Sequence, residues 1–380
     1  MKSLYAWSKF AARTVSAAAG FSSHPLKLMY VVTKRCHSRC VYCDIWKAKD
    51  QPGGLDGELS LEEIRKVAKQ NPFFQWIDFT GGEPTDHPQF TEVVKTFAAE
   101  CPELLLIHFP TNGIATKRIE AVVKDLSETL RARLVVTVSI DGPPELNDRL
   151  RGIRNDFAHA VNSFVAVRKL IGAENTFAGL TLHAFSKTSG ITSSELVQQT
   201  YQAINDALKE RGEAPLSWSS LHLNIPHLSQ HYYGNTSAIE SQGFGGPEHR
   251  EEVAAALKYA ADQHRNEGTA AMRALERIYR AEAMKYLRTG KTDIACSALT
   301  LTTYLSEKGE VYPCTIWNKP LGNVRNSNFA LMPIIEAARE KGIQKAIRAR
   351  KCPNCWTPCE AYPAIAASPF KSLASFVRGS

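Results

Sequence analysis

Leu28-Met-Tyr-Val-Val32, then Thr-Lys-Arg, then Cys36-His-Ser-Arg-Cys40-Val-Tyr-Cys43 is the stretch that decides how this 380-residue chain is read. An apolar run rich in β-formers reads as a buried strand. Three cysteines at spacing x3 and x2 follow it directly, so their thiols can converge on one face of a loop. A four-iron cluster ordinarily takes four protein thiolates. Supplying three leaves one iron open to a substrate or cofactor. Zinc competes, but structural zinc wants four closed ligands. His37 adjoins Cys36 and is poorly placed to be the fourth.

Downstream, strand-like and helix-like stretches alternate. Strands are expected at 28–32, 76–79, 104–109, 134–140, 177–184 and 218–223. Helices are expected at 60–70, 89–100, 116–127, 157–171 and 192–209, the first and last opening on the capping-box pairs Ser60/Glu63 and Thr192/Glu195. Six alternations mean a parallel sheet with helices outside, too few for a full eight-fold barrel. The fold class is therefore α/β, a partial (β/α)6 barrel or open sheet, with chemistry beyond the carboxyl ends of the strands.

The motifs fall at those ends. Thr80-Gly81-Gly82-Glu83-Pro84 closes the second strand, Pro110-Thr-Asn112-Gly113 the third, and Ser139-Ile-Asp141-Gly142 the fourth, with Arg151-Gly152 beyond. Together with the cysteine loop these resemble the signature of the radical S-adenosylmethionine (SAM) superfamily, over about residues 26–224. The resemblance implies a [4Fe–4S] cluster on Cys36, Cys40 and Cys43, whose open iron chelates the methionine part of SAM. It places Tyr42 near the adenine. Gly81, Gly82 and Glu83 would contact the methionine amino group, the glycines permitting close backbone approach. Asn112 would line the site. Ser139 and Asp141 would meet the ribose, and Arg151 the cofactor carboxylate, which an arginine can bind bidentately. A plain ion pair of Arg151 with Asp148 or Asp156 is the competing reading.

The nine cysteines otherwise group as Cys101 alone, Cys296 with Cys314, and Cys352, Cys355 and Cys359. Cys101, before Pro102, reads as an inert buried thiol. Tight groups suggest metal ligation rather than disulfides, hence a reducing cytoplasm. Cys296-x12-Gly309-x4-Cys314, then Cys352-x2-Cys355-x3-Cys359, resembles the SPASM and twitch domains, which carry auxiliary iron–sulfur clusters. Five thiols cannot serve two fully cysteine-ligated clusters. One auxiliary [4Fe–4S] cluster on Cys296, Cys314, Cys352 and Cys355 is expected, with Cys359 as an alternate ligand or left over. Zinc on four of the five stays open.

The organisation expected is thus 1–24, a basic amphipathic segment; 25–247, the radical SAM core; 248–290, a helical connector; 291–362, the SPASM/twitch-like domain; and 363–380, a basic tail. Within the core, 225–247 is a Gly-rich aromatic loop. Its His227, Gln230, His231, Tyr232 and Tyr233 read either as substrate contacts or as an ordinary surface loop.

Six basic and no acidic residues in 1–35, with Lys371 and Arg378 in 363–380, account for the net charge of +8. A neutral body argues against a nucleic-acid binder. The basic ends suggest peripheral contact with the inner face of a membrane, against the plainer reading of an N-terminal helix packed on the protein itself.

By resemblance, a reduced cluster cleaves SAM to a 5′-deoxyadenosyl radical that takes hydrogen from a substrate carbon. An external reductant such as flavodoxin or ferredoxin supplies the electron. The substrate is a peptide, a lipid or isoprenoid, or a sugar-derived small molecule. The rival class is a non-catalytic iron–sulfur electron-transfer or redox-sensing protein.

Overall fold

A computed structural model describes residues 4–18, 24–183, 186–236, 245–263, 270–369 and 371–372. The first residues and the end of the basic amphipathic segment expected at 1–24, and the end of the basic tail with Arg378, lie outside the described residues.

Six parallel strands run in chain order: β1 (Lys27–Thr33), β2 (Trp76–Gly81), β3 (Leu106–Thr111), β4 (Arg133–Ser139), β5 (Thr176–Thr181) and β6 (Leu221–Asn224). The crossovers carry α2 (Leu61–Gln70), α3 (Phe90–Glu100), α4 (Thr116–Thr129), α5 (Pro144–Arg151) with α6 (Asp156–Ile171), and α7 (Ser186–Ser189) with α8 (Ser193–Glu210). The sheet does not close, as six units predict. Both expected capping boxes form, at Ser60/Glu63 and Thr192/Glu195, each hydroxyl worth about 1 kcal/mol.

Alternate residues of each strand face the helices. Leu28, Tyr30, Phe79, Phe109 and Val136 are fully buried there with Phe97 of α3 and Val123 of α4. The sixth strand is shorter than its apolar run suggests. Trp218–Ser220 forms a turn, its indole stacked on Tyr201 at 3.8 Å, and extended backbone starts only at Leu221.

Beyond the core, α9 (Pro247–Gln263) and α10 (Ala270–Thr289) pack together, and α9 lies on α8. The following region then returns to the same sheet. β7 (Thr302–Leu305) pairs parallel with the free edge of β1, Lys27 opposite Thr302, and β8 (Glu310–Tyr312) and β9 (Gly322–Asn323) extend it antiparallel. The nine strands make one sheet in which β1 is interior. Helices α11 (Met332–Glu340), α12 (Ile343–Arg348) and α13 (Pro358–Ala367) follow.

The N-terminal helix α1 (Leu4–Ala18) lies against α13. Lys9 and Arg13 both pair with Glu103 of the body, and both side chains stay partly exposed. No described helix is long and apolar enough to cross a membrane.

Candidate active site at the carboxyl ends of the strands

The loop after β1 and the end of β2 are pressed together. A Cβ on Gly81 would stand 2.2 Å from the Thr33 carbonyl oxygen, and one on Gly82 2.9 Å from Cβ of Cys36. Glycine is required because backbone occupies the side-chain space. Gly82 N donates to Thr33 O at 2.9 Å and Glu83 N to Arg35 O at 2.7 Å, which joins the Gly-Gly-Glu-Pro turn to the cysteine loop.

Glu83 is 1% exposed. Burial raises its pKa. One carboxylate oxygen accepts from Thr85 Oγ1 at 2.6 Å and Thr111 Oγ1 at 3.0 Å, the other from Asn112 N at 2.6 Å. It therefore braces the ends of β2 and β3 on each other. Asn112 Oδ1 in turn accepts from Ile114 N.

Cys36, Cys40 and Cys43 are close enough to oppose one another's ionisation. Burial pushes the Cys36 thiol up to about 12, Glu83 and Cys40 adding to the effect. Cys43 is raised by burial and then by Cys40. A bound metal would take these thiols in their ionised form and release their protons. His37 turns away and pairs with Asp86 at 2.6 Å, so it does not join them.

Tyr42 is buried. Its hydroxyl donates to Asp141 Oδ2, and its ring stacks on His183 with centroids 3.6 Å apart and planes 7° from parallel. Asp141 also accepts from Arg151 Nη1 at 2.7 Å and from Thr181 N at 2.9 Å. Arg151 Nε lies 3.0 Å from Asp156 Oδ2, an ion pair not aligned as a hydrogen bond. The arginine expected to meet a cofactor carboxylate thus meets two of the chain's own, Asp141 and Asp156. Asp148 is spent on the backbone N–H groups of Asn155 and Phe157. Ser139 is half-buried at the end of β4. His183, just past β5, had no signal in the sequence beyond its place after a strand.

The second group forms around a cavity lined by Cys296, Cys314, Cys352 and Cys355, with Trp317 and Glu360. Cys296 is raised by burial, then by Glu360, Cys355 and Cys314. Cys359 does not line that cavity. It sits in the first turn of α13 and packs against the cluster that holds Tyr232 and Tyr304. Lys27 fixes this turn by donating to the Cys359 carbonyl at 2.8 Å. The helix start turns Cys359 toward Lys27 and Asp78, while it stays near enough to Cys355 to help raise that thiol. Cys101 is buried, its thiol donating to Asn71 O.

Three plus four soft thiols fit iron–sulfur clusters by donor type. Among the described residues no three His, Cys, Asp or Glu side chains converge tightly enough for one ion.

Residues 30–184, from mid-β1 to just past β5, match the model of the Radical SAM superfamily. They form a radical SAM domain. Such a domain implies a [4Fe–4S] cluster and SAM. The mycofactocin maturase MftC of Mycobacterium ulcerans is 28% identical over 171 residues, which are 41% of this chain and 44% of that protein. The Fe-coproporphyrin III synthase of Methanosarcina barkeri is 33% identical over 136 residues, 35% of this chain and 32% of that one. The chain spans less than half the length of these relatives.

The fold reaches further than the sequence match. The solved anSMEcpe with bound AdoMet superposes with a TM-score of 0.53 at 14% identity, covering 94% of this chain and 97% of that one. Streptococcus suis SuiB bound to its precursor peptide SuiA gives 0.53 at 14% identity, covering 88% and 70%. The radical SAM domain and the cysteine-bearing C-terminal region therefore follow one shared architecture.

Proposed function

We propose that this chain is a radical SAM enzyme acting on a peptide. Its [4Fe–4S] cluster would be held by Cys36, Cys40 and Cys43, and an auxiliary cluster by Cys296, Cys314, Cys352 and Cys355. The observation carrying this reading is convergence at the strand ends: the three-cysteine loop against Gly82, and Tyr42 between them and Asp141.

When bound and reduced, the cluster and SAM supply a 5′-deoxyadenosyl radical that removes hydrogen from an unactivated carbon. The protein's part is binding, aiming and exclusion of water. Cys36, Cys40 and Cys43 would hold the cluster and leave one iron for SAM. Gly81 and Gly82 would let backbone approach the methionine end, and Glu83, which here braces β2 on β3, would face the ammonium. Asn112 and Ser139 would offer polar groups at the ends of β3 and β4. Asp141 and Arg151 fix the Tyr42 ring, and through Thr181 N Asp141 fixes the end of β5. Strands β1 to β6 wall one side of the site. A flavodoxin- or ferredoxin-type donor would supply electrons.

A peptide substrate is favoured over a lipid or sugar by the company the chain keeps. MftC is named as a maturase, and SuiB was solved with a precursor peptide. The pairing of Lys9 and Arg13 with Glu103 offsets part of the basic charge on which membrane contact was expected.

The test is 5′-deoxyadenosine release after anaerobic reconstitution with iron and sulfide, given SAM and a strong reductant. Release lost in the triple variant Cys36→Ala/Cys40→Ala/Cys43→Ala supports the reading. Cluster-loaded protein that neither binds nor cleaves SAM would instead be an electron carrier.

A further inference from the structure

The two cysteine groups lie far apart in sequence, yet one short loop is bonded to both. Residues 227–236 follow β6 and fall outside the segment that matches the family model. On the N-terminal side, Asn235 Nδ2 donates to the carbonyl of Tyr42, between Cys40 and Cys43, at 3.0 Å. Asp44 N, just after Cys43, donates to Tyr233 O at 2.8 Å. The Tyr232 hydroxyl reaches Thr80 Oγ1, beside Gly81, at 2.5 Å.

On the C-terminal side, Ser229 Oγ donates to Thr315 O at 2.6 Å. His231 Nε2 donates to the carbonyl of Cys314 itself at 3.1 Å, and its ring stacks on Tyr312 of β8 at 4.2 Å.

Asn235 holds the loop in this shape. It is 1% exposed. Its Oδ1 accepts from Ser229 N at 2.9 Å, and its Nδ2 also donates to His227 O at 3.2 Å. One amide thus ties together the residue that anchors the loop to Thr315 and the carbonyl inside the three-cysteine motif. A buried, fully bonded amide has one geometry, and removing it leaves buried partners unmet.

We propose that Asn235 is a positioning residue and that 227–236 is a strap transmitting the state of the C-terminal cysteine site to the SAM site. The inference rests on the function proposed above. Filling the C-terminal site fixes the backbone at Cys314 and Thr315. Through Ser229, His231 and Asn235 this fixes Tyr42, and with it the spacing of Cys40 and Cys43. Coupling of this kind is a free energy shared by two sites and is reciprocal.

The test uses the full chain, anaerobically reconstituted. It measures iron content, SAM dissociation constant and the electron paramagnetic resonance (EPR) spectrum of the reduced N-terminal cluster with and without SAM. Cys314→Ala should weaken SAM binding about tenfold, within the usual range for coupled sites. Asn235→Ala should keep the iron of both clusters, weaken SAM binding to a similar degree and alter the SAM-induced EPR shift. Combining the two should add little, because the route is already cut. Ser229→Ala, which leaves the Tyr42 bond in place, is the milder second variant and should give a smaller effect in the same direction.

Wild-type SAM affinity and an unaltered EPR shift in loaded Asn235→Ala would overturn the proposal. So would independent, multiplying effects in the double variant. If Asn235→Ala does not fold, unchanged SAM affinity in Ser229→Ala overturns it. Failure of the wild-type chain to bind SAM would count against the enzyme reading instead.

Discussion

A Cβ on Gly82 would stand 2.2 Å from the carbonyl oxygen of Arg35, the residue before the first cysteine. Backbone cannot yield that distance as a flexible side chain would. Gly82→Ala should therefore part the β2 turn from the cysteine loop, at a cost of about 1–3 kcal/mol for overpacking. Iron per chain after reconstitution should fall by roughly half, since the loss is confined to the cluster that would sit on three of the seven grouped thiols. Full iron in a stably folded Gly82→Ala chain would show that the contact is not needed.

The fifth C-terminal thiol gives a clean contrast. Cys40→Ala should abolish 5′-deoxyadenosine release and leave the auxiliary cluster in place. Cys352→Ala should lose the auxiliary cluster. Cys359→Ala should retain both, because its side chain lies beside Tyr232 rather than in the cavity. Iron and sulfide analysis of the three variants decides it, and a Cys359→Ala chain missing one cluster would reverse the assignment.

Asp141 links Tyr42, Arg151 and β5 at one buried carboxylate. Asp141→Asn removes a charge partner from a buried guanidinium, a change costing about 3 kcal/mol, and it weakens the hold on the Tyr42 ring. Tyr42→Phe deletes one hydrogen bond and should cost only about 1 kcal/mol. Chemical denaturation of the two variants should rank them in that order. SAM affinity should fall further in Asp141→Asn.

Stability in acid should depend on Glu63. The bidentate Arg325 guanidinium, outweighing partial burial and aided by Ser60, holds its carboxyl down at about 2. An ordinary glutamate sits at about 4.3. The unfolded chain therefore takes up the proton first as pH falls. The contribution is complete above about pH 5 and drains away between about 4.3 and 2. The pair is partly exposed, so about 1 kcal/mol or less is at stake. Arg325→Gln should destabilise the metal-free chain at pH 6, by less at pH 3, and come level with wild type only as pH falls through about 2. A constant difference at both values would place the effect elsewhere.

Much of the core could be read directly. The run 134–140 is mostly apolar and β-branched, and 76–79 sets Trp, Ile and Phe around Asp78; the structure places strands on both because both faces of a parallel sheet are covered. The capping pairs gave helix starts to the residue. The return of β7 to β1 was not readable. Thr302–Leu305 is four residues long, and its partner lies some 270 positions earlier. Nor was the link from Asn235 to the Tyr42 carbonyl, since hydrogen bonds to main chain leave no pattern in side-chain identity. The place of Cys359 outside the cavity was not readable for a related reason: spacing along a chain does not say which way a helix will turn its first residues.

The pairing of β7 with β1 also orders events in time. The strand that delivers the three-cysteine loop begins at Lys27, but one of its edges stays bare until Thr302–Leu305 has left the ribosome. An exposed edge is an invitation to mispair, and contacts this distant in sequence form late. Maturation with iron and sulfur would then have to wait until Thr302–Leu305 has been made, long after the three-cysteine loop itself.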